Sequence, residues 1–407
     1  MTKTPTPEQL KKIIREGSPV DCIAFLNQYD VTTRRTLGDM AVALFTEDVE
    51  AYFKNPSRAT LRRPDAARVA VLATGSLEQV IACDWHLIPD PELLIQVFDT
   101  FQPDWTNSWV QHVLDENPYI IRHLHWLWDT GLCQRPSSDS FIHGLLATHV
   151  FLHWPVETSA LRAKPALSDQ RLATTPAKQK ELIDDLWRFF EVKGRGEFSL
   201  GYLDLGSAWR TRFIELCDNG QMPRDLLLDA SLAALTRDFN QAEARCFARL
   251  YSDLEPTTEE QHTRCDQLLA LLSEELPTTV SFAVKALKQV NKCHPVPAEE
   301  LIEALMPAFV SPVKGTVMEA LRLTKDAVKR SPEAKKSAIV GVVQGLKHEG
   351  KGVPEASLVI LESWFADVSL EELQKVRDAI SEMPPNLRAR AQAFCSKTTG
   401  DTDPSTR

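Results

Sequence analysis

Residues 311–346, SPVKGTVMEALRLTKDAVKRSPEAKKSAIVGVVQGL, contain the pattern that decides the fold. Ser311-Pro312 and Ser331-Pro332 are each typical of a helix start, because serine caps free amides of the first turn and proline has no N–H to leave unpaired there. Apolar residues then recur every three or four positions, at Val313, Val317, Leu321, Val328, Ile339, Val343 and Leu346. The stretch therefore predicts two consecutive amphipathic helices.

Prolines at predicted helix starts recur at regular distances along the C-terminal part of the chain. Pro277 and Pro312 are 35 residues apart, as are Pro297 and Pro332, and Pro354 follows Pro312 by 42 residues. Two helices in 35–42 residues is the period of helical hairpins of the HEAT and armadillo type, which bury their apolar stripes by stacking. We therefore predict an all-α fold, an α-α superhelix of such repeats without a sheet. A globular helical bundle, which needs no regular period, is the alternative.

Helical periodicity extends over nearly the whole chain, and strand alternation is almost absent. The pairs Thr257–Glu260 and Ser369–Glu372 have the spacing of capping boxes, which mark further helix starts. Composition divides the chain into five predicted regions. These are a helical region rich in Trp and His at 1–155, a linker or long loop at 156–176, a middle helical region at 177–252, the HEAT-like repeats at 253–396 and a disordered tail at 397–407.

The charge of the chain disfavours a nucleic-acid binder. The sequence has 46 Lys and Arg against 56 Asp and Glu, and the resulting net charge of −10 is spread evenly over both halves. Nucleic-acid-binding proteins usually concentrate basic residues on one face. The local basic run between Lys54 and Arg68 is more typical of a solvated loop and helix start.

Cysteine usage and the length of apolar runs predict a cytoplasmic protein. Eight cysteines are scattered without a Cys-x-x-Cys pair, as expected for reduced thiols. The first seven residues, MTKTPTP, lack the apolar core of a secretory signal. The longest apolar run, 141–154, has 14 residues and includes three histidines, whereas a membrane span needs about 20 apolar residues.

Trp105, Trp109, Arg122 and Trp126 are the candidate partner-binding residues. Trp126 follows Arg122 by four residues, a spacing at which an arginine can stack on an indole along one helix face. An exposed Trp beside an Arg is enriched at binding hot spots. The surrounding stretch, 85–153, is acidic and would suit a basic partner segment. The alternative is that these indoles are structural and buried.

Five histidines form the densest set of possible metal ligands, His123, His125, His143, His149 and His153. His149 and His153 are four residues apart on a predicted helix, so their side chains share one face, as paired zinc ligands do. The segment lacks the adjacent Glu that a zinc protease uses as general base. We therefore predict no metal site and keep a metal-binding helical domain as an alternative.

The sequence gives no signature of an enzyme. It contains no Gly-x-Ser-x-Gly elbow, no phosphate-binding loop and no dinucleotide-binding glycine motif. We predict a protein without catalytic residues or cofactors. A Ser/His/Asp set assembled only in space stays open, because the members of a triad need not be close in sequence.

Three stretches, taken in their order along the chain, carry a resemblance. They run from Leu10 to Thr33-Arg34-Arg35, from Pro103-Asp104-Trp105 to Pro136, and from Arg237-Asp238-Phe239 to about residue 366. They resemble a large bacterial family of HEAT-like proteins of unknown function. The resemblance implies an α-solenoid without assigned chemistry, so it carries over no functional residue. It also suggests a partner from an ATPase-containing multiprotein system. Many members of the family are longer, so the resemblance implies that this chain is a short member or a fragment.

These observations favour a non-enzymatic protein-interaction scaffold, a subunit of a bacterial multiprotein system. The first alternative is a HEAT-like DNA-binding protein or DNA-repair glycosylase, in which Asp104, Trp105, Trp109 and Arg122 would line the groove. The net negative charge makes duplex binding unfavourable unless basic residues are concentrated on one face. The second alternative is metal binding at the histidine cluster.

Overall fold

The computed structural model of the chain describes residues 5–54, 65–83, 91–152, 176–193 and 208–396. Within these ranges every regular element is helical, and no strand occurs. The all-α prediction is therefore confirmed for the described residues. None of the helices in these ranges has the length and apolar character needed to cross a membrane.

The chain divides into two compact units, Met1–Arg212 and Phe213–Arg407. The predicted region boundaries near 155 and 252 stay predictions. The predicted tail at 397–407 lies outside the described residues, and so does the predicted loop at 156–176 except for Pro176, which begins a helix.

The first unit contains eleven complete α-helices among its described residues. They are α1 Pro7–Glu16, α2 Pro19–Leu26, α3 Val31–Arg35, α4 Gly38–Lys54, α5 Asp65–Thr74, α6 Leu77–Ala82, α7 Pro91–Phe101, α8 Thr106–Glu116, α9 Ile121–Asp129, α10 Asp139–Leu152 and α11 Pro176–Arg188. A 3-10 turn, Pro118–Ile120, precedes α9. The next helix, α12 Ala208–Asp218, contains the boundary between the units.

Helix α5 is the centre of the first unit. Every side chain from Ala66 to Thr74 except that of Arg68 is buried, and α5 contacts all of α1, α2, α3, α4, α6 and α7. Alanine and valine dominate α5, and their small side chains let surrounding helices approach its backbone from several sides. The buried Arg34 side chain ties α3 to this core, since its Nε donates to the carbonyl of Ala73 at 3.3 Å.

The second unit continues with eleven α-helices in the described part of the chain. They are α13 Arg224–Ala234, α14 Gln241–Asp253, α15 Thr258–Thr263, α16 Cys265–Ala270, α17 Pro277–Cys293, α18 Ala298–Ala304, α19 Lys314–Arg330, α20 Lys335–Gln344, α21 Val353–Ser363, α22 Leu370–Ala379 and α23 Pro385–Ser396. Short 3-10 helices follow or precede several of them, at Leu271–Ser273, Met306–Val310, Pro332–Ala334, Gly345–Lys347 and Phe365–Asp367.

The helices of the second unit pack in two rows. In one row α14, α17, α19, α21 and α23 contact one another in succession, and in the other α16, α18, α20 and α22 do the same. Each of α16, α18, α20 and α22 also contacts the helix that follows it in the chain. Consecutive helices therefore pair, and each pair packs on the next.

Contacts between neighbouring pairs repeat with nearly the same separation in sequence. The hydroxyls of Ser281 and Thr316 are bonded across 35 residues, and the rings of His294 and His262 stack across 32 residues. The Arg264 guanidinium, which is buried, reaches back 35 residues to the Asp229 carboxylate at 2.6 Å. The two hydrogen bonds across 35 residues agree with the shortest proline spacing, and the histidine pair is three residues closer.

The capping boxes and the Ser331-Pro332 helix start are confirmed, and the Ser311-Pro312 helix start is wrong. Thr257 and Ser369 cap α15 and α22 with reciprocal bonds to Glu260 and Glu372. Ser331 precedes the 3-10 helix Pro332–Ala334, with Pro332 at its first position, and α20 follows directly at Lys335. In contrast α19 begins after Val313. Ser311 accepts instead from the amide of Val313, while its carbonyl accepts from the ring N–H of His348. This contact across 37 residues fixes the backbone before the helix, which the local pattern could not reveal.

Glu260 joins a helix cap to the preceding helix pair. Its carboxylate accepts from Arg224 Nε at 2.6 Å and Nη2 at 3.1 Å, and from the amide of Thr257 at 2.8 Å. The Arg224 hydrogen bonds are the main reason that the pKa of Glu260 falls to about 2. The charged carboxylate therefore stabilises the folded unit at neutral pH.

Glu260→Gln should lower the free energy of unfolding by about 1–2 kcal/mol at pH 7, a value reduced for the partial exposure of the pair. Because the folded pKa is depressed, the stabilisation is complete above about pH 4.5 and is lost as the pH falls to about 2. Urea unfolding followed by circular dichroism should show that the free energies of unfolding of the wild type and of Glu260→Gln become equal as the pH falls over that range. Glu259→Gln, at an exposed neighbouring carboxylate, is the control and should change stability by less than about 0.5 kcal/mol. An equal effect of both substitutions would contradict this role for Glu260.

Candidate functional site

Two of the four predicted partner-binding residues lie in the interior of the first unit. Trp109 on α8 is fully buried, and Trp105, which precedes α8, is 6% exposed. The Trp109 ring stacks on Phe98 of α7 with centroids 5.5 Å apart. The Trp105 Nε1 donates to the carbonyl of Gly75 at 3.1 Å. These contacts give both indoles a packing role.

The other two residues are on α9. Trp126 is half-buried, and its ring lies 4.7 Å from that of His125. Arg122 is one turn before it in the same helix, and the Arg122 side chain lies outside the described part of the structure. Partner binding by Trp105, Trp109, Arg122 and Trp126 therefore stays a prediction.

Asp104, the acidic residue of the glycosylase alternative, forms an exposed ion pair. Its carboxylate accepts from Arg35 Nη2 at 2.8 Å, and most of its side chain faces solvent. The pair connects the loop before α8 with α3, so this carboxylate has a structural contact within the first unit.

The histidines do not form one cluster in the described residues. His125 and His143 are buried, and His123 is half-buried. The His149 side chain and all of His153 lie outside the described residues. Among the side chains that the structure describes, no group of three or more His, Cys, Asp or Glu is placed to hold a metal ion.

His143 lines a polar pocket of about 310 Å³ in the first unit. Its neighbours in the pocket wall come from the end of α8, the turn after it, the start of α10 and the residues that follow α11. They are Gln111, Asp115, Pro118, Ser138, Asp139, Ser140 and Lys193. Apart from the proline they are hydrophilic, so the pocket suits a hydrophilic molecule of metabolite size.

Burial sets the protonation of His143. Only 2% of the residue is exposed, and this desolvation lowers its pKa to about 4, against the weaker opposing effect of the Asp139 carboxylate. The ring is therefore neutral at pH 7, with one N–H donor and one acceptor nitrogen. Hydrogen bonds with the backbone of Val192 and Lys193 also oppose the effect of desolvation on this pKa.

Sequence reasoning found His143 but not the residues around it. The spacing of Asp139, Ser140 and His143 places them on the first turns of one helix, so their proximity can be predicted from the sequence. Asp115 and Lys193 come from distant segments, so their approach to His143 depends on tertiary packing. Serine, aspartate and histidine side chains line this pocket, and no serine hydroxyl bonds to a ring nitrogen of His143 among the described residues.

The second unit has a locally basic surface in an otherwise acidic chain. Helix α17 carries three lysines and no acidic residue, and its neighbour α19 carries five basic and two acidic residues. One of the acidic residues, Glu319, is largely enclosed by Lys288 at 2.9 Å and Arg322 at 3.2 Å. Lys285, Arg322 and Lys325 are exposed. We call the solvent-facing side of α17 and α19 the basic face.

A family model matches most of the chain. The model of a family described as "Domain of unknown function (DUF6493)" matches residues 4–315, about three quarters of the chain. No curated protein and no solved structure matches the chain. The match covers α1 to the start of α19 and assigns no chemistry to any of these helices.

Proposed function

The chain belongs to the family described as a domain of unknown function (DUF6493), and from this premise we propose that it is a non-enzymatic protein-interaction scaffold. The scaffold is an α-α superhelix of HEAT-like hairpins and serves as a subunit of a bacterial multiprotein system. The observation that supports it best is the succession of helix pairs in the second unit, which pack in two rows with bonds repeated about every 35 residues.

The packing of the helix pairs supports a binding role. Each helix pair uses its apolar side against the pairs on either side, as the buried Val284, Leu321 and Leu358 illustrate on three successive helices of one row. The faces that remain carry hydrophilic side chains on rigid helices. Rows of this kind form long, preorganised surfaces. Because the scaffold is already ordered before a partner binds, little of the binding free energy is lost to ordering it.

The basic face indicates the chemistry of the partner. Lys285 on α17 and Arg322 and Lys325 on α19 are exposed on neighbouring helices, so a partner segment with several carboxylates would meet a complementary potential. An acidic protein segment is thus the proposed ligand. The resemblance to HEAT-like proteins suggests an ATPase-containing system as its source.

Recovery of a partner from the source organism tests this proposal. The tagged chain should co-purify with a protein in stoichiometric amount, and the double charge reversal Lys285→Glu/Lys325→Glu should lower that recovery at least tenfold. Lys11→Glu/Lys12→Glu, a matched double reversal on exposed positions of α1, should leave recovery unchanged. Absence of an enriched protein, or equal recovery with both double variants, would contradict the proposal.

The DNA-binding alternative is tested with the same variants. A duplex oligonucleotide should show no salt-dependent shift with the wild-type chain even at low ionic strength, because a chain of net charge −10 repels the phosphates. A shift that disappears in Lys285→Glu/Lys325→Glu would assign the basic face to nucleic acid instead of a protein.

A further inference from the structure

The solvent side of α19 carries a line of basic side chains. Lys314, Arg322, Lys325 and Lys329 are exposed, and their spacing places them on one side of the helix. The half-buried Met318 lies between the first two on the same side. With a rise of about 1.5 Å per residue, the line from Lys314 to Lys329 is about 22 Å long. We call these four residues the basic line.

The charge around the basic line is positive although the chain as a whole is acidic. Helices α17 and α19 together carry eight basic and two acidic residues. Glu319 is shared by Lys288 and Arg322, which leaves Asp326 as the one exposed carboxylate on these two fully described helices. Several carboxylates on a ligand would therefore meet a complementary potential along the line.

Apolar side chains are exposed where the basic line begins. Val310 is 65% exposed, and Val313, which directly precedes α19, is 40% exposed. Pro307 and Pro312 in the same segment are exposed as well. The 3-10 helix Met306–Val310 contacts both α17 and α19, so this apolar segment adjoins both helices of the basic face.

The backbone under the two valines is held in place by contacts on both sides. The carbonyl of Ser311 accepts from the His348 ring at 3.0 Å, and the Ser311 Oγ accepts from the amide of Val313 at 3.3 Å. Phe309, beside Val310, is fully buried. A ligand can therefore cover the exposed valines without paying to order the segment.

We propose that the acidic segment bound by the basic face has an apolar residue at one end, which packs on Val310 and Val313 while its carboxylates follow the basic line. This inference rests on the proposed function and specifies the partner of the same face. An extended chain rises about 3.3 Å per residue, so about seven residues cover the length of the line. The ligand is accordingly a short linear segment of a protein, apolar at one end and acidic along the rest.

Fluorescence anisotropy of the full chain with two labelled synthetic peptides tests the proposal. One peptide has two leucines followed by six glutamates, and the other has two serines in place of the leucines. Both carry the same charge, and the leucine peptide should bind at least fivefold more tightly, because only the leucines gain by leaving water. Val310→Ser/Val313→Ser should remove this preference and leave the binding of the serine peptide unchanged.

Val20→Ser/Val31→Ser is the matched control, because these valines are 55% and 52% exposed in the first unit, and it should keep the preference for leucine. Circular dichroism checks that each variant is folded. Equal binding of the two peptides, or a preference that persists in folded Val310→Ser/Val313→Ser, would overturn this inference and leave the proposed function standing. Lys285→Glu/Lys325→Glu should weaken both peptides at least tenfold. Failure of both peptides to bind, or unchanged binding in that variant, would overturn the acidic ligand of the proposed function as well.

Discussion

Trp109→Ala should lower the free energy of unfolding of the first unit by about 3–5 kcal/mol, the range measured for large aromatic side chains removed from cores. Trp109 is fully buried and contacts the rings of Phe98 and Trp105. Its Nε1 has no hydrogen-bond partner in the described residues. The lost stability therefore comes from packing contacts alone. With total stabilities of about 5–15 kcal/mol, such a loss is enough to unfold part of the population.

The measurement uses urea unfolding in a Trp364→Phe background, because Trp364 is the one tryptophan of the second unit and its removal makes the fluorescence report on the first. Trp126→Ala is the comparison. Trp126 is half-buried on α9, so we expect about half the effect or less. A loss below about 1 kcal/mol for Trp109→Ala would show that this indole is not a core residue. The prediction that Trp109 binds a partner would then be favoured over a packing role.

Gly341→Ala should destabilise the second unit by about 2 kcal/mol or more. A Cβ on Gly341 of α20 would overlap the ring of Phe309, with Cδ2 at 2.6 Å and the Met306 Sδ at 3.1 Å. Phe309 is fully buried, so its ring cannot yield without displacing other side chains, and overpacking of this kind costs typically 1–3 kcal/mol. Phe309→Leu in the Gly341→Ala background should restore part of the stability.

Gly315→Ala provides a control of opposite sign. Gly315 is on α19, and an added Cβ would meet nothing within 4 Å. Replacing a helical glycine by alanine at an open position should stabilise by up to about 1 kcal/mol. Thermal unfolding of the two variants should therefore shift in opposite directions. A Gly341→Ala variant as stable as the wild type would contradict the close contact between α20 and the 3-10 helix Met306–Val310.

The sequence predicts features that depend on neighbours in the chain. Thr257 and Ser369 begin helices as their capping boxes indicate, because both partners of the box lie within one turn. The spacing of the prolines predicts the separation of about 35 residues at which Ser281 meets Thr316. Such signals are local or periodic, so a single sequence carries them.

Features that depend on tertiary contacts could not be predicted. Ser311-Pro312 has the residues of a helix start, but the His348 ring holds the Ser311 carbonyl and the helix begins later. Trp109 occupies an apolar stripe that is compatible with a core or a binding face, and only the contact with Phe98 decides it. The residues that join His143 in the pocket lie up to about 50 positions away, as Lys193 does.

Zero-length carbodiimide cross-linking of the native chain tests whether the helix pairs stack at a fixed interval. Three lysine–carboxylate contacts join successive pairs, Lys288–Glu319 at 2.9 Å, Lys335–Asp367 at 2.8 Å and Lys347–Glu382 at 2.9 Å. Lys375–Glu371, within α22 at 2.8 Å, is the internal control for the reaction. We predict amide links at all four pairs by mass spectrometry. The other result would be the control link together with links between other segments, but no link at the three pairs that are 31–35 residues apart. That result would show that the helix pairs do not stack in this order.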